Sequence, residues 1–153
     1  MDGQPWAGLY VPARITLEGL DDFCELLTRE NVRYLRRNKA PPLYRSGAFY
    51  RQQPEYWLAI PHALLAVQIG MGLDCKSLSA WRAAELRVLG GEPGARCIVS
   101  AHPTPERVVY HVQVRRQDGR VEDPSAILGM NAALSPPVYQ QQQHPGPYLA
   151  AYY

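Results

Sequence analysis

No apolar run in this chain of 153 residues is long enough to cross a bilayer, and proline and glycine, 14 and 12 in number, interrupt most of the runs there are. A membrane span is not expected. An excess of one charge is also missing. Sixteen Lys and Arg face 14 Asp and Glu, a formal net charge of +2 at neutral pH, which is too balanced for a dedicated binder of polyanions. No specific nucleic-acid partner is expected, and Arg33, Arg36 and Arg37 read as a solvated helix face.

Cysteine is scarce: the 3 present are far apart and cannot all pair within the chain. The N-terminus has neither the basic start nor the continuous apolar stretch of a secretion signal, so a reduced, cytoplasmic compartment is the expectation. Metal-ligand spacing is absent too. No Cys-x-x-Cys or His-x-x-x-His pair occurs, His102 sits in a proline-rich stretch and His144 among glutamines. The glycines before Cys75 lack the Gly-Lys-Ser/Thr ending of a phosphate loop. Neither a metal nor a cofactor is expected.

Hydrophobic residues make up 46% of the chain, enough for a core without disulfide or metal staples. We read an N-terminal arm over 1–15, one domain over 16–134 and a Pro/Gln/Tyr-rich tail over 135–153. Phe23, Cys24, Leu27, Tyr34 and Leu35 recur at helical spacing and predict a helix from Leu17 to Arg37, stopped by Pro41 and Pro42. The stretch from Leu43 to Gln53 reads as loop or irregular strand. A short helix is expected from Pro61 to Gln68, ended by Gly70 and Gly72. A further helix from Cys75 to about Leu89 carries apolar residues around most of its circumference, which predicts burial on several sides. Arg82 and Glu85 fall inside that arc three residues apart and are expected to pair with each other or with a neighbour. Cys97–Ser100, Arg107–Arg115 and Arg120–Glu122 read as strands of an antiparallel sheet, with turns at 102–105 and at Asp118-Gly119. The expected class is α+β, with a Cys-bearing central helix on a small sheet. Cys24 and Cys97 read as core residues.

Cys75 carries the chemistry. It follows a flexible-looking turn, Gly70-Met-Gly-Leu-Asp74, and Asp74 is a favourable N-cap, which places the thiol in the first turn of a helix where aligned N–H groups favour thiolate. Strand alternation puts Tyr110, Val112 and Val114 on one face and Val109, His111 and Gln113 on the other. The turn at Asp118-Gly119 then returns Asp123 beside His111. A Cys75 thiolate would attack a carbonyl, the His111 imidazolium would protonate the leaving group, and Asp123 would hold the ring's tautomer. Backbone N–H groups near Cys75, or the side chain of Gln68, would receive the oxyanion.

Gly72-Leu-Asp-Cys75 at a helix start, Tyr110-His111-Val-Gln-Val114 in a strand and Asp118-Gly-Arg-Val-Glu-Asp123-Pro-Ser125 after a hairpin resemble the transglutaminase-like branch of the papain-like thiol enzymes. The resemblance covers roughly residues 56–130. It implies a papain-like core with Cys75 as nucleophile, His111 as base and Asp123 as orienting acid. Asp74-Cys75-Lys-Ser-Leu78 is also similar to the nucleophile motif of bacterial cell-wall endopeptidases in that superfamily. Val112 stands where a transglutaminase often has an aromatic residue, which favours amide hydrolysis over protein cross-linking. Ser79-Ala-Trp-Arg-Ala-Ala-Glu-Leu86 and Asp123-Pro-Ser-Ala-Ile-Leu-Gly-Met130 resemble small proteins encoded among tailed-phage structural genes. That likeness implies virion partners for the N-terminal arm and the C-terminal tail, and a location in the host cytoplasm and then the virion. Three functions stay open on these residues: a thiol hydrolase or acyl transferase acting on a peptide or protein substrate, a structural virion protein with an idle triad, and a peptide-binding module.

Overall fold

The computed structural model of the chain describes residues 8–10, 16–52, 57–59 and 72–131. Its longest element, helix α1 (Leu17–Arg37), begins where the hydroxyl of Thr16 accepts the N–H of Gly19 at 3.1 Å, which satisfies one of the donors that a first turn leaves over. Leu20, Cys24, Leu27, Thr28, Asn31 and Leu35 form the buried stripe. The apolar spacing of the sequence thus marks the inward face. Arg33, Arg36 and Arg37 are exposed as expected, with Arg33 paired to Glu30. The helix stops at Asn38, whose backbone and side-chain N–H groups both donate to the carbonyl of Tyr34.

Helix α2 (Cys75–Val88) lies between two apolar clusters. On one side Ala80, Ala83 and Leu86 pack with Leu20, Cys24 and Leu27 of α1 and with Cys97, Val112 and Val114. On the other, Leu78, Trp81 and Ala84 pack with Leu35, Leu43, Ala48 and Leu73. Burial from both sides is why its apolar residues do not form a single stripe. Two arginines of the helix, Arg82 and Arg87, tie it to its surroundings. Arg82 reaches Glu85 at 2.7 Å, as its spacing predicts, and also Glu122 at 2.6 Å. Arg87 meets both oxygens of Glu25 on α1, at 3.0 and 2.8 Å.

Strands β3 (Arg96–Pro103), β4 (Val108–Arg115) and β5 (Val121–Glu122) form an antiparallel sheet in the order β3-β4-β5, and the short helix α3 (Pro124–Ile127) follows. Val112 and Val114 are fully buried against the helices, while His111 and Gln113 point to the other face and stay half-buried. Strand β3 runs past Ser100, where the sequence reading ends it, and reaches Pro103. Proline is tolerated there because β3 is an edge strand, so its missing N–H costs no ladder bond. The turn follows within the expected stretch and closes through Thr104, which bonds Arg107 with both backbone and hydroxyl. At the next hairpin Gly119 takes a φ of 88°, a left-handed conformation that glycine adopts without strain.

Among the described residues the protein is therefore α+β, with three helices and a three-stranded antiparallel sheet. Part of the expected N-terminal arm forms β1 (Gly8–Tyr10), which pairs antiparallel with β2 (Trp57–Ala59). The stretch expected as loop or irregular strand contains a 3-10 turn at Leu43–Arg45 and a single parallel bridge from Tyr50 to Leu73. The helix expected over Pro61–Gln68 and the tail over 135–153 lie outside the described residues. No helix among those described is long and apolar enough to cross a membrane.

Candidate active site

The chain enters α2 under restraint. Leu73 donates to the carbonyl of Phe49 at 3.0 Å and accepts from Arg51 at 2.9 Å, and Tyr50 between them donates to Leu128 just after α3. Gly72 lies against the same segment: a side chain there would meet Cβ of Arg51 and the ring of Phe49, 2.6 Å from Cε2. The expected flexible turn is thus, from Gly72 onward, a packed one. Glycine serves close approach here. Asp74 then caps the helix as its residue type predicts, Oδ1 accepting the N–H of Ser77 at 3.0 Å and Oδ2 meeting Nζ of Lys76 at 2.5 Å. Cys75 is the first helical residue.

The environment of its thiol departs from the expectation of a favoured thiolate. Burial pushes the Cys75 thiol up from its ordinary value, and the neighbouring Asp74 carboxylate pushes it further. The Lys76 ammonium and the backbone N–H groups of Val112 and Lys76 act in the opposite direction without reversing the shift. Cys75 is half-buried, so its sulfur has lost much of the water that would solvate a negative charge. The cap that forms the helix start also brings a carboxylate to it. Burial likewise opposes the charge of Lys76, but Asp74 more than offsets this and raises its pKa.

Strand β4 meets α2 at Val112. Its carbonyl accepts the hydroxyl of Ser79 at 2.9 Å, and its N–H lies toward the sulfur of Cys75, one helical turn before Ser79. Both polar groups of that backbone unit therefore face the start of α2, and they fix Cys75 beside the residue that follows His111. On the half-buried face, Nε2 of His111 lies 2.7 Å from Oδ2 of Asp123. The amide of Gln113 donates to the same oxygen at 3.3 Å, and the N–H of Ala126 donates to Oδ1 at 3.1 Å. Burial alone would raise the Asp123 carboxyl, but His111, Ala126 and Gln113 more than offset it and hold it below the usual carboxylate range. An ionised carboxylate only accepts, so the imidazole carries its proton on Nε2 and leaves Nδ1 as the basic nitrogen.

The structure thus pairs His111 with Asp123 and sets Cys75 against the adjoining amide. No hydrogen bond joins the Cys75 thiol to the His111 ring among the described residues. Two participants were missed from the sequence. Gln113 shares the face of His111, and that spacing was the signal for its reach to Asp123. The link from Tyr50 to Leu73 had none, because it joins irregular segments. Gln68, expected as an oxyanion donor, lies outside the described residues. Among those described, no three His, Cys, Asp or Glu side chains are grouped to hold a metal ion. Compared with known proteins, the chain matches no family model, no curated protein and no solved structure.

Proposed function

We propose that the protein is a Cys-His-Asp thiol hydrolase or acyl transferase with a papain-like, transglutaminase-like core, acting on a peptide or isopeptide amide. The observation that carries this reading is the convergence of three chain-distant features. A helix-initial thiol lies beside the amide of Val112, His111 precedes that amide, and His111 is held by Asp123. The resting thiol is protonated, so activation is a proton transfer from Sγ of Cys75 to Nδ1 of His111 as substrate displaces water. The sulfur then attacks the amide carbon. Asp123 keeps Nε2–H in place, and the imidazolium returns its proton to the departing amine. The N–H groups of Val112 and Lys76, which lie toward Sγ, stabilise the thiolate that this transfer creates. Water or a second amine resolves the thioester.

Residues 79–86 and 123–130 support placing this activity in a phage virion through their resemblance to tailed-phage structural proteins. A second reading, a structural virion protein that keeps the fold with an idle triad, is favoured by the raised Cys75 thiol and its lack of a direct bond to His111. Iodoacetamide labelling separates the two. The enzyme reading expects Cys75 to be alkylated faster than Cys24 and Cys97, with His111→Ala removing most of that advantage. Labelling of Cys75 that ignores His111 supports the structural reading.

A further inference from the structure

Behind the Cys75 site lies a second thiol cluster to which the proposed reaction gives no role. Cys24 on α1 and Cys97 on β3 sit in one apolar cluster, close enough for the Cys97 thiol to act directly on the Cys24 thiol. Thr28, one turn beyond Cys24, spans the same pair: its hydroxyl donates to the carbonyl of Cys24 at 2.8 Å and contacts Sγ of Cys97 at 3.8 Å. The surrounding side chains include Ala80, Ala83 and Ala95, small enough for a helix and a sheet to lie close together. Both cysteines are free thiols. One hydroxyl, that of Thr28, reaches both cysteines, which sets them side by side where α1 packs on β3 and places them for a reaction with each other.

We propose that Cys24 and Cys97 form a buried dithiol that a small peroxide oxidises to a disulfide, joining α1 to β3 beneath the Cys75 site. Cys97 reacts first, because it keeps 6% exposure whereas Cys24 has none. Its sulfur takes one peroxide oxygen as the O–O bond breaks, giving a sulfenic acid and one water. The Cys24 sulfur then attacks the Cys97 sulfur, and the sulfenic hydroxyl leaves with the Cys24 proton as a second water. The two thiols lose two electrons and the peroxide gains them. Cys24 suits the second step. The Cys97 thiol and burial push its own thiol far up, so it does not compete with Cys97 for the peroxide, and its place beside Cys97 makes it the thiol at hand when the sulfenic acid forms.

This inference does not depend on the proposed catalysis. The full chain is reduced, exposed to hydrogen peroxide, unfolded in denaturant with excess alkylating agent and mapped without reduction; Cys75→Ala is treated in parallel. The expected result is a loss of about 2 Da, a peptide linking Cys24 to Cys97, and a melting temperature raised by about 10 °C, in both proteins. Cys97→Ser should abolish the link and the temperature shift. If Cys24 and Cys97 both remain alkylatable after peroxide, or if the disulfide forms through Cys75 instead, the dithiol assignment is wrong.

Discussion

Asp123 touches His111 with one carboxylate oxygen and the N–H of Ala126 with the other. It therefore orients an imidazole and caps α3 at once. Substitution can separate the two roles, since asparagine caps a helix about as well as aspartate but cannot hold an imidazolium as a carboxylate does. Asp123→Asn should keep stability within about 1 kcal/mol of the parent, and Asp123→Ala should cost about 1–2 kcal/mol. Both should slow the His111-dependent alkylation of Cys75. Denaturant melts read the first effect and labelling rates the second; an Asn variant that labels at the parent rate removes Asp123 from the site.

The charge beside Cys75 is a second point of control. Asp74 raises the thiol, so Asp74→Asn, which keeps a capping side chain, should move the alkylation profile to lower pH and speed labelling at pH 8 by roughly 3- to 10-fold. Because the folded state holds the thiol proton more tightly, this contribution to stability is complete below the ordinary thiol range and is lost as pH rises through the folded value. A profile that does not move would show that Asp74 has no electrostatic hold on the sulfur.

Arg82 joins Glu85 to Glu122, and Tyr44 places its ring 5.1 Å from the guanidinium while its hydroxyl donates to Glu122. Removing the cation leaves two carboxylates with little water, so Arg82→Met should destabilise the protein by about 3–5 kcal/mol. Burial would raise the Glu122 carboxyl, yet Arg82 and Tyr44 hold it below the ordinary range. Its stabilisation is therefore present above the unfolded glutamate value, near about 4.3, and is lost as pH falls through the folded one. Urea melts between pH 6 and about pH 3 should show this loss, and Glu122→Gln should flatten it.

Gly72 provides the most local test. A methyl group at this position meets Arg51 and Phe49, and relieving the clash must shift Leu73, Asp74 or the facing segment around Tyr50. Gly72→Ala should cost about 1–3 kcal/mol and should also change the labelling rate of Cys75. Gly119→Ala, strained by its positive φ but distant from α2 along the chain, controls for general destabilisation. It should lower the melting temperature without that change in rate.

These cases show where sequence reading succeeds and where it stops. The bounds of α1 were legible because the spacing of Phe23, Cys24, Leu27 and Leu35 and the stop at Pro41-Pro42 agree; the Thr16 cap that starts it lies just outside that pattern. The pairing of His111 with Asp123 followed from alternation along one strand and a short return turn, both local features. The electrostatics of Cys75 did not follow. The N-cap pattern predicts aligned donors, but the sign of the shift depends on how much water the fold removes and on where the Asp74 charge comes to rest. Gly72 was misread for a similar reason. Glycine signals either conformational freedom or close approach, and only the position of Phe49 and Arg51 distinguishes the two.

Cys75, His111 and Asp123 all fall within residues 72–131, a stretch that looks excisable as a miniature. The backbone of Tyr50 argues against such dissection. It bridges to Leu73 on one side and bonds to Leu128 on the other, so a segment outside the stretch spans the entry to the nucleophile's helix and the exit from the helix that follows Asp123. A fragment starting at Gly72 would keep every side chain of the proposed triad and lose the brace that sets their spacing. The smallest unit that retains the site must include this brace and α1, whose Leu35 packs with Leu43 and Ala48 beside it.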